Sequence, residues 1–285
     1  MKKDRFKRVY VEIGNVCNMS CVFCPKTSRQ PKQMSVDEFK VVLSKIKDYT
    51  SHIYLHIMGE PLIHPNLAEL LDEAYGSGLK VNITTNGTLL SQNKAILQHK
   101  SIRKISISIH SFEANVMNKT LVEYLDSVVD FAKSLSKDKY IELRLWNVDN
   151  ENYSKLNDDI IEYIKSSFNY TEKLDRQSKL SIAIANNVYI MFAHKFDWPN
   201  VDGEDYGEKG FCHGLKDQIG VLVSGDVVPC CLDNEGTIVL GNIFSDSMEQ
   251  ILSNPRTQAI IEGFRNRKRV ENLCRHCEYA TRFNK

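Results

Sequence analysis

Apolar residues recur along the first two thirds of the chain at two alternating periods. Short runs rich in Ile, Val and Tyr occupy 8–14, 52–58, 80–86, 104–110, 140–148 and 180–184. Bounded by Gly, Asn and Pro, they read as buried strands. The stretches between them keep helical spacing. Ser35-Val36-Asp37-Glu38 is a capping box, and Val36, Phe39, Val42, Leu43 and Ile46 follow on one face. Leu67, Leu70, Leu71 and Ala74 line one side of a helix over 66–75, with Gly76 and Gly78 as its stop. A third helix is expected from Ser91, a fourth behind the capping box Thr120-Leu121-Val122-Glu123, and a fifth around Ile160, Ile161 and Ile164. Six strands alternating with helices predict an α/β fold with a parallel sheet and right-handed crossovers. Periodicity alone leaves a partial barrel and an open doubly wound sheet both standing.

The rhythm changes after residue 186. Residues 220–229 read as a hairpin turning at Ser224-Gly225-Asp226, 237–243 as a short strand, and 247–252 and 256–264 as short helices. The Pro-, Gly- and Asp-rich stretch 198–210 reads as a linker. The expected division is a core over 1–195 and a small α+β domain over 196–285.

Composition adds exclusions. Hydrophobic residues make up 42% and charged residues 26% of 285, which is ordinary for a globular chain and excludes disorder, collagen and coiled coil. Lys plus Arg number 37 against 36 Asp plus Glu, so the net charge of +1 gives no electrostatic footprint for nucleic acid or an anionic membrane. The basic run 265–269 reads as a solvated loop. No stretch is apolar for the roughly 20 residues a transmembrane helix needs, and the charged start lacks a signal-peptide core. The expected location is cytoplasmic.

Eight cysteines are the anomaly, because they fall in two groups with nearly two hundred residues between them. Packing cysteines would be scattered. Cys17, Cys21 and Cys24 form C-x3-C-x2-C directly after the first strand, at the sheet edge where parallel α/β folds place their chemistry. Three thiolates within eight residues can wrap a cubane iron–sulfur cluster and leave one iron open for a ligand. A three-thiolate zinc site with a distant fourth ligand is the alternative. In the last quarter, Cys212 and Cys230 bracket seventeen residues and Cys274-Arg275-His276-Cys277 closes a C-x2-C. Four such ligands fit one closed metal centre, either a cluster or a zinc ribbon. Cys231 is left over and reads as core.

Cys17-Asn18-Met19-Ser20-Cys21-Val22-Phe23-Cys24 resembles the signature of the radical S-adenosylmethionine (SAM) enzymes, C-x3-C-x-aromatic-C. The resemblance implies a [4Fe-4S] cluster on the three cysteines. Its open iron chelates SAM, and reductive cleavage yields a 5′-deoxyadenosyl radical that abstracts a substrate hydrogen. It places Phe23 near the adenine. Met58-Gly59-Glu60-Pro61 resembles the family's G-G-E-P motif, with Met58 in place of the first glycine, and so implies SAM contacts at Gly59 and Glu60. Thr85-Asn86-Gly87, Ser108 in the fourth strand and Arg144 in the fifth resemble further cofactor-binding positions, Arg144 as the partner of the SAM carboxylate. The resemblance covers 8–185 and implies a partial (β/α)6 TIM barrel.

The C-terminal spacing resembles the Twitch form of the SPASM domain. This implies one auxiliary [4Fe-4S] cluster on Cys212, Cys230, Cys274 and Cys277. A fully ligated cluster suits electron transfer, so the expected reaction is hydrogen abstraction followed by oxidation of the substrate radical, as in a dehydrogenase or maturase. The alternative is peptide cross-linking, which the start of strand one near residue 8 disfavours by leaving no leader-binding domain ahead of it. A non-catalytic iron–sulfur or zinc module is the remote alternative. Expected partners are a small-molecule or peptide substrate and a flavodoxin- or ferredoxin-type electron donor. Asp217, Asp226, Asp233, Glu235 and His213 are candidate bases by proximity to the auxiliary cysteines, and His56 and His110 by position on strands.

Overall fold

The computed structural model describes residues 5–148, 154–174 and 180–283. Its elements run β1 (Arg8–Val11), α1 (Val36–Ile46), β2 (His52–Tyr54), α2 (Leu67–Gly76), β3 (Lys80–Thr85), α3 (Lys94–Leu97), β4 (Ile102–Ser108), α4 (Leu121–Leu135), β5 (Tyr140–Leu145), α5 (Asn157–Ser167), β6 (Ser181–Ala185), β7 (Val188–Phe192), β8 (Gln218–Val221), β9 (Asp226–Val228), β10 (Gly241–Asn242), α6 (Met248–Ser253), α7 (Pro255–Arg265), α8 (Asn272–Arg275) and α9 (Glu278–Thr281). Both expected capping boxes form, since Ser35 and Glu38, and Thr120 and Glu123, exchange their reciprocal bonds.

Among the described residues the ten strands make one sheet in the order β10-β9-β8-β1-β2-β3-β4-β5-β7-β6. The block from β8 to β7 is parallel throughout, and β6, β9 and β10 are antiparallel. The sheet does not close on itself. Side chains alternate across it with period two. Val9, Ile53, Ile83, Ile105, Ile107, Ile141 and Leu143 are fully buried and belong to the main core. Their neighbours Tyr10, Tyr54, Thr84, Ser106, Ser108, Glu142 and Arg144 all line one cavity. A closed barrel fills its interior with branched apolar side chains. Here the inner face is polar and aromatic, and strands β1 to β5 with β7 wrap a hollow. That is the partial barrel.

Three local differences from the sequence reading have physical causes. The run expected as the sixth parallel strand, 180–184, forms β6, an antiparallel edge strand. The parallel place beside β5 belongs to β7. A tight turn at Asn186-Asn187, with Asn187 in the left-handed region at φ 56°, folds one onto the other. The strand expected over 237–243 shrinks to β10, because the Asp233 carboxylate accepts the N–H groups of Thr237 and Ile238, both at 2.8 Å, that a ladder would need. The third helix is a single turn, α3. The stretch 198–210 has no helix or strand, only an isolated bridge from Lys209 to Lys268.

The C-terminal region joins the barrel directly, since β8 pairs in parallel with β1 over Arg8–Val11. A buried ion pair locks that junction. Glu12 has no exposed surface, and its carboxylate takes both guanidinium arms of Arg29 at 2.6 and 2.7 Å. It also accepts the N–H groups of Met58 and Val223. Arg29 Nε donates to Asn234 O at 2.8 Å, and Ser28 donates to Glu235. Removing one partner strands the other charge and leaves two N–H groups without acceptors. Glu12→Ala is therefore expected to cost about 3–5 kcal/mol in denaturant unfolding, with loosening of the loop that carries Arg29. A loss well under 1 kcal/mol would contradict this. Among the described residues no helix is long and apolar enough to cross a membrane.

Candidate active site

The chain leaves β1 into a long loop that carries Cys17, Cys21 and Cys24. Neighbouring loops hold it in shape. Val22 N donates to Ala114 O at 3.2 Å, Ser20 N to Asn115 Oδ1 at 2.9 Å, and Asn115 Nδ2 to Cys21 Sγ at 3.0 Å. Met19 N donates to Cys17 Sγ at 3.4 Å. None of the eight cysteines is in a disulfide, and Cys17 is exposed. Partial desolvation within the loop pushes the Cys17 and Cys24 thiols up, although the Cys17 residue as a whole is exposed, so thiolate ligation must release their protons to solvent. Hydrogen bonds to sulfur are the usual support of an iron–sulfur ligand set, and the donor set fits such a cluster.

The two motif loops after β2 and β3 brace the cysteine loop from below. Gly59 sits at φ 79°, and a Cβ there would lie 2.4 Å from Gly14 O and 2.8 Å from Val16 O. Only glycine lets the backbones approach so closely. Gly59→Ala is expected to destabilise the fold by roughly 2 kcal/mol or more and to displace the loop beneath Cys17. Thermal unfolding and a lowered iron content after reconstitution would report it. Glu60 is buried, and its carboxylate accepts Leu62 N at 3.1 Å and Asn86 N at 2.8 Å. Burial raises its carboxyl to about 7 against those hydrogen bonds. Asn86 Nδ2 in turn donates to Asn18 Oδ1 at 2.9 Å and lies 4.0 Å from Cys17 Sγ. Tyr124 donates to Asn86 O at 2.8 Å.

The barrel cavity measures about 440 Å³. Of the expected cofactor residues, Phe23, Ser108 and Arg144 line it, whereas Gly59, Glu60 and Asn86 brace the cysteine loop. Phe23 packs on His110 with ring centroids 5.0 Å apart. His110 and His56 also line the cavity, and burial lowers them to about 4 and about 3, so both imidazoles are neutral. The Arg144 guanidinium lies 3.4 Å over the Trp146 ring. The five acid and histidine candidates near the auxiliary cysteines do not reach this cavity. Asp217 pairs with His213 at 2.7 Å, Asp226 bonds Ser224 and Asn242, Asp233 caps a turn, and Glu235 holds Ser28. Each stabilises a local fold.

Cys212, Cys230, Cys274 and Cys277 gather around a second, small cavity of about 30 Å³. Burial raises all four thiols, Cys277 to about 11. Among the described residues no three His, Cys, Asp or Glu side chains stand close enough to ligate a single metal ion, so what the four thiols share is the cavity between them. Arg269 lines this cavity with no exposed surface. That corrects the reading of 265–269 as a wholly solvated run. Its guanidinium donates to Tyr206 O and Gly207 O at 3.3 Å each. A buried cation beside thiolates stabilises their negative charge. Cys231 is also placed differently from its expected core position. It faces the barrel cavity, hydrogen-bonded to Tyr10, while its neighbour Cys230 faces the four-thiol cavity. Leu232 lines both.

Comparison with known proteins agrees with both halves. A radical SAM superfamily model matches residues 11–160, and a model of the SPASM iron–sulfur cluster-binding domain matches residues 212–278. A probable GTP 3′,8-cyclase of Sulfurisphaera tokodaii is 28% identical over 219 residues, covering 67% of this chain and 70% of the relative. Seven further curated relatives are matched over only 26 to 48% of their own length. Among solved structures, BtrN in complex with AdoMet and 2-DOIA superposes with a TM-score of 0.57 at 18% identity, covering 96% of this chain and 93% of that one. Streptococcus suis SuiB bound to precursor peptide SuiA gives 0.59 at 17% identity, covering 97% and 73%. These likenesses establish the fold.

Proposed function

Since this chain belongs to the radical SAM superfamily, we propose that it oxidises a substrate by two electrons, the first leaving with a hydrogen atom and the second passing to the C-terminal centre. Its cofactors are SAM and a [4Fe-4S] cluster in the core, with auxiliary iron–sulfur in the SPASM-matching region. Bound together, core cluster and SAM supply a 5′-deoxyadenosyl radical. Cys17, Cys21 and Cys24 would hold the core cluster. Phe23 offers an aromatic face to the adenine, and Ser108 a hydroxyl in the same cavity. Gly59, Glu60 and Asn86 lie beside Cys17, where the methionine end of SAM would meet the open iron. Cys17 is exposed, which suits approach by an external one-electron donor of flavodoxin or ferredoxin type.

The observation that carries the oxidative reading is the placement of Cys230 and Cys231. Adjacent residues face the four-thiol cavity and the barrel cavity, so one residue separates the two chambers. A substrate that has lost a hydrogen atom becomes a closed-shell product by giving up one electron and one proton. The electron has a short route to a centre held by Cys212, Cys230, Cys274 and Cys277. The neutral imidazoles of His56 and His110, the His194 ring and the carboxylate of Glu142 are among the lining groups at hand for the proton.

Metal analysis tests the reading. After anaerobic reconstitution, about eight irons with matching sulfide per chain are expected, falling to about four in a Cys274→Ala/Cys277→Ala variant. About four irons plus one zinc in the parent protein would make the C-terminal centre structural and overturn the electron-acceptor role.

A further inference from the structure

We propose that the barrel cavity holds an oxyanion of the substrate, a carboxylate or a phosphate ester, between the guanidinium groups of Arg8 and Arg144. This rests on the barrel cavity being the place where substrate is oxidised, and it names the substrate's chemical class.

The first argument is the charge on the walls. Arg8, Lys104, Arg144 and Lys195 line the cavity against a single carboxylate, Glu142. Lys104 already holds that carboxylate at 2.9 and 3.0 Å, and Lys195 lies 2.9 Å from Asp197. Among the described residues neither arginine forms an ion pair. Among the described residues the Arg144 side chain makes one long hydrogen bond, Nη1 to Thr84 Oγ1 at 3.4 Å. Arg144 Nε is buried without a hydrogen-bond partner, a cost that a bound anion would offset, and Arg8 adds a second, exposed guanidinium to the same cavity.

The second argument is convergence. Arg8 is on β1 and Arg144 on β5, with three strands between them. Both nevertheless line one cavity, together with Tyr10 and Cys231. They enter it from strands on separate parts of the wall. Arg144 is also held in place, because its guanidinium lies 3.4 Å over the Trp146 ring. The position of Arg8 separates this patch from the SAM end. It begins β1, whereas the cysteine loop follows the strand's other end roughly 10 Å further on. An anion reached by both arginines lies deeper than the SAM carboxylate, so Arg144 is assigned to substrate here and not to SAM.

The chain has two tryptophans, Trp146 and Trp198, and both line this cavity. Their emission can be followed in the SAM-loaded holoenzyme during titration with inorganic phosphate, malonate or glycerol. A saturable change is expected with an oxyanion and not with glycerol. Phosphate against malonate then tells which oxyanion fits. Arg8→Ala and Arg144→Lys should each weaken that binding by roughly tenfold or more, the second because lysine keeps the charge and loses the fork. Wild-type affinity in Arg8→Ala overturns the subsite, whether or not Arg144→Lys binds, and returns Arg144 to the SAM carboxylate. So does an equal response to glycerol, or no response to either oxyanion. SAM cleavage measured on the same preparation keeps the two ideas apart. Cleavage without anion binding removes the subsite alone. Anion binding without cleavage removes the oxidative reading on which it rests.

Discussion

Cys21→Ala is expected to abolish SAM cleavage and turnover together and to lower the iron content by about four per chain. The three core thiols lie on one loop, whereas Cys231 lines the barrel cavity and the other four cysteines gather around the small cavity. A cubane that keeps only two of its three protein ligands has no replacement. The loop itself should survive, because its anchors are elsewhere. Glu12 and Arg29 clamp its far end, Ser28 is held by Glu235, and Asn234 donates to Lys26 O. The one contact deleted is the 3.0 Å hydrogen bond from Asn115 Nδ2. Unfolding of the metal-free chains should therefore differ little while 5′-deoxyadenosine formation under reducing conditions vanishes. Wild-type cleavage in this variant would remove the core of the proposed chemistry.

Cys277→Ala should separate the two halves of the reaction. SAM cleavage is expected to persist within a few-fold, and formation of oxidised product to be lost. Cys277 is 8% exposed and belongs to the small cavity, not to the barrel. Its removal leaves the core thiols, Phe23 and Ser108 in place. A substrate that has lost its hydrogen atom then finds no acceptor for the next electron. Cys231→Ala is the internal comparison. It deletes a thiol from the barrel wall and leaves all four auxiliary ligands, so about eight irons should remain. Normal product from Cys277→Ala would end the electron-acceptor role.

What could be read from the chain alone follows the range of the interactions. Capping boxes act over three residues, and strand and helix periods over about ten, so five of the six barrel strands and most helices were legible. The C-x3-C-x2-C loop is equally local. β7 escaped because an Asn186-Asn187 turn is a weaker signal than Asn-Gly, and the chain composition changes nearby. The lock at Glu12 joins residues 17 and 211 positions away, and no local pattern marks Glu12 for it. Arg269 was hidden by its neighbours, since a basic run gives no sign that one member turns inward. The expected bases near the auxiliary cysteines were chosen by sequence distance, whereas the cavity is lined by residues from strands a hundred positions earlier. Spacing favoured Cys230 over Cys231 as the ligand, but that Cys231 faces the barrel cavity and not the core shows only in three dimensions.

The parallel pairing of β8 with β1 has a consequence for how the molecule is made. β8 follows β1 along the chain by some two hundred residues, so β1 is made well before its partner. During synthesis the barrel can assemble from β1 towards β7 while one edge of β1 stays bare. Such a distant contact raises contact order, which slows folding, and an unpaired parallel edge invites association with other chains. The cysteine loop hangs from that same strand, and its lock at Val223 is also translated late. Assembly of the core centre is thus tied to completion of the C-terminal quarter. A chain cut near residue 195 would be an open-edged intermediate, not a self-sufficient core.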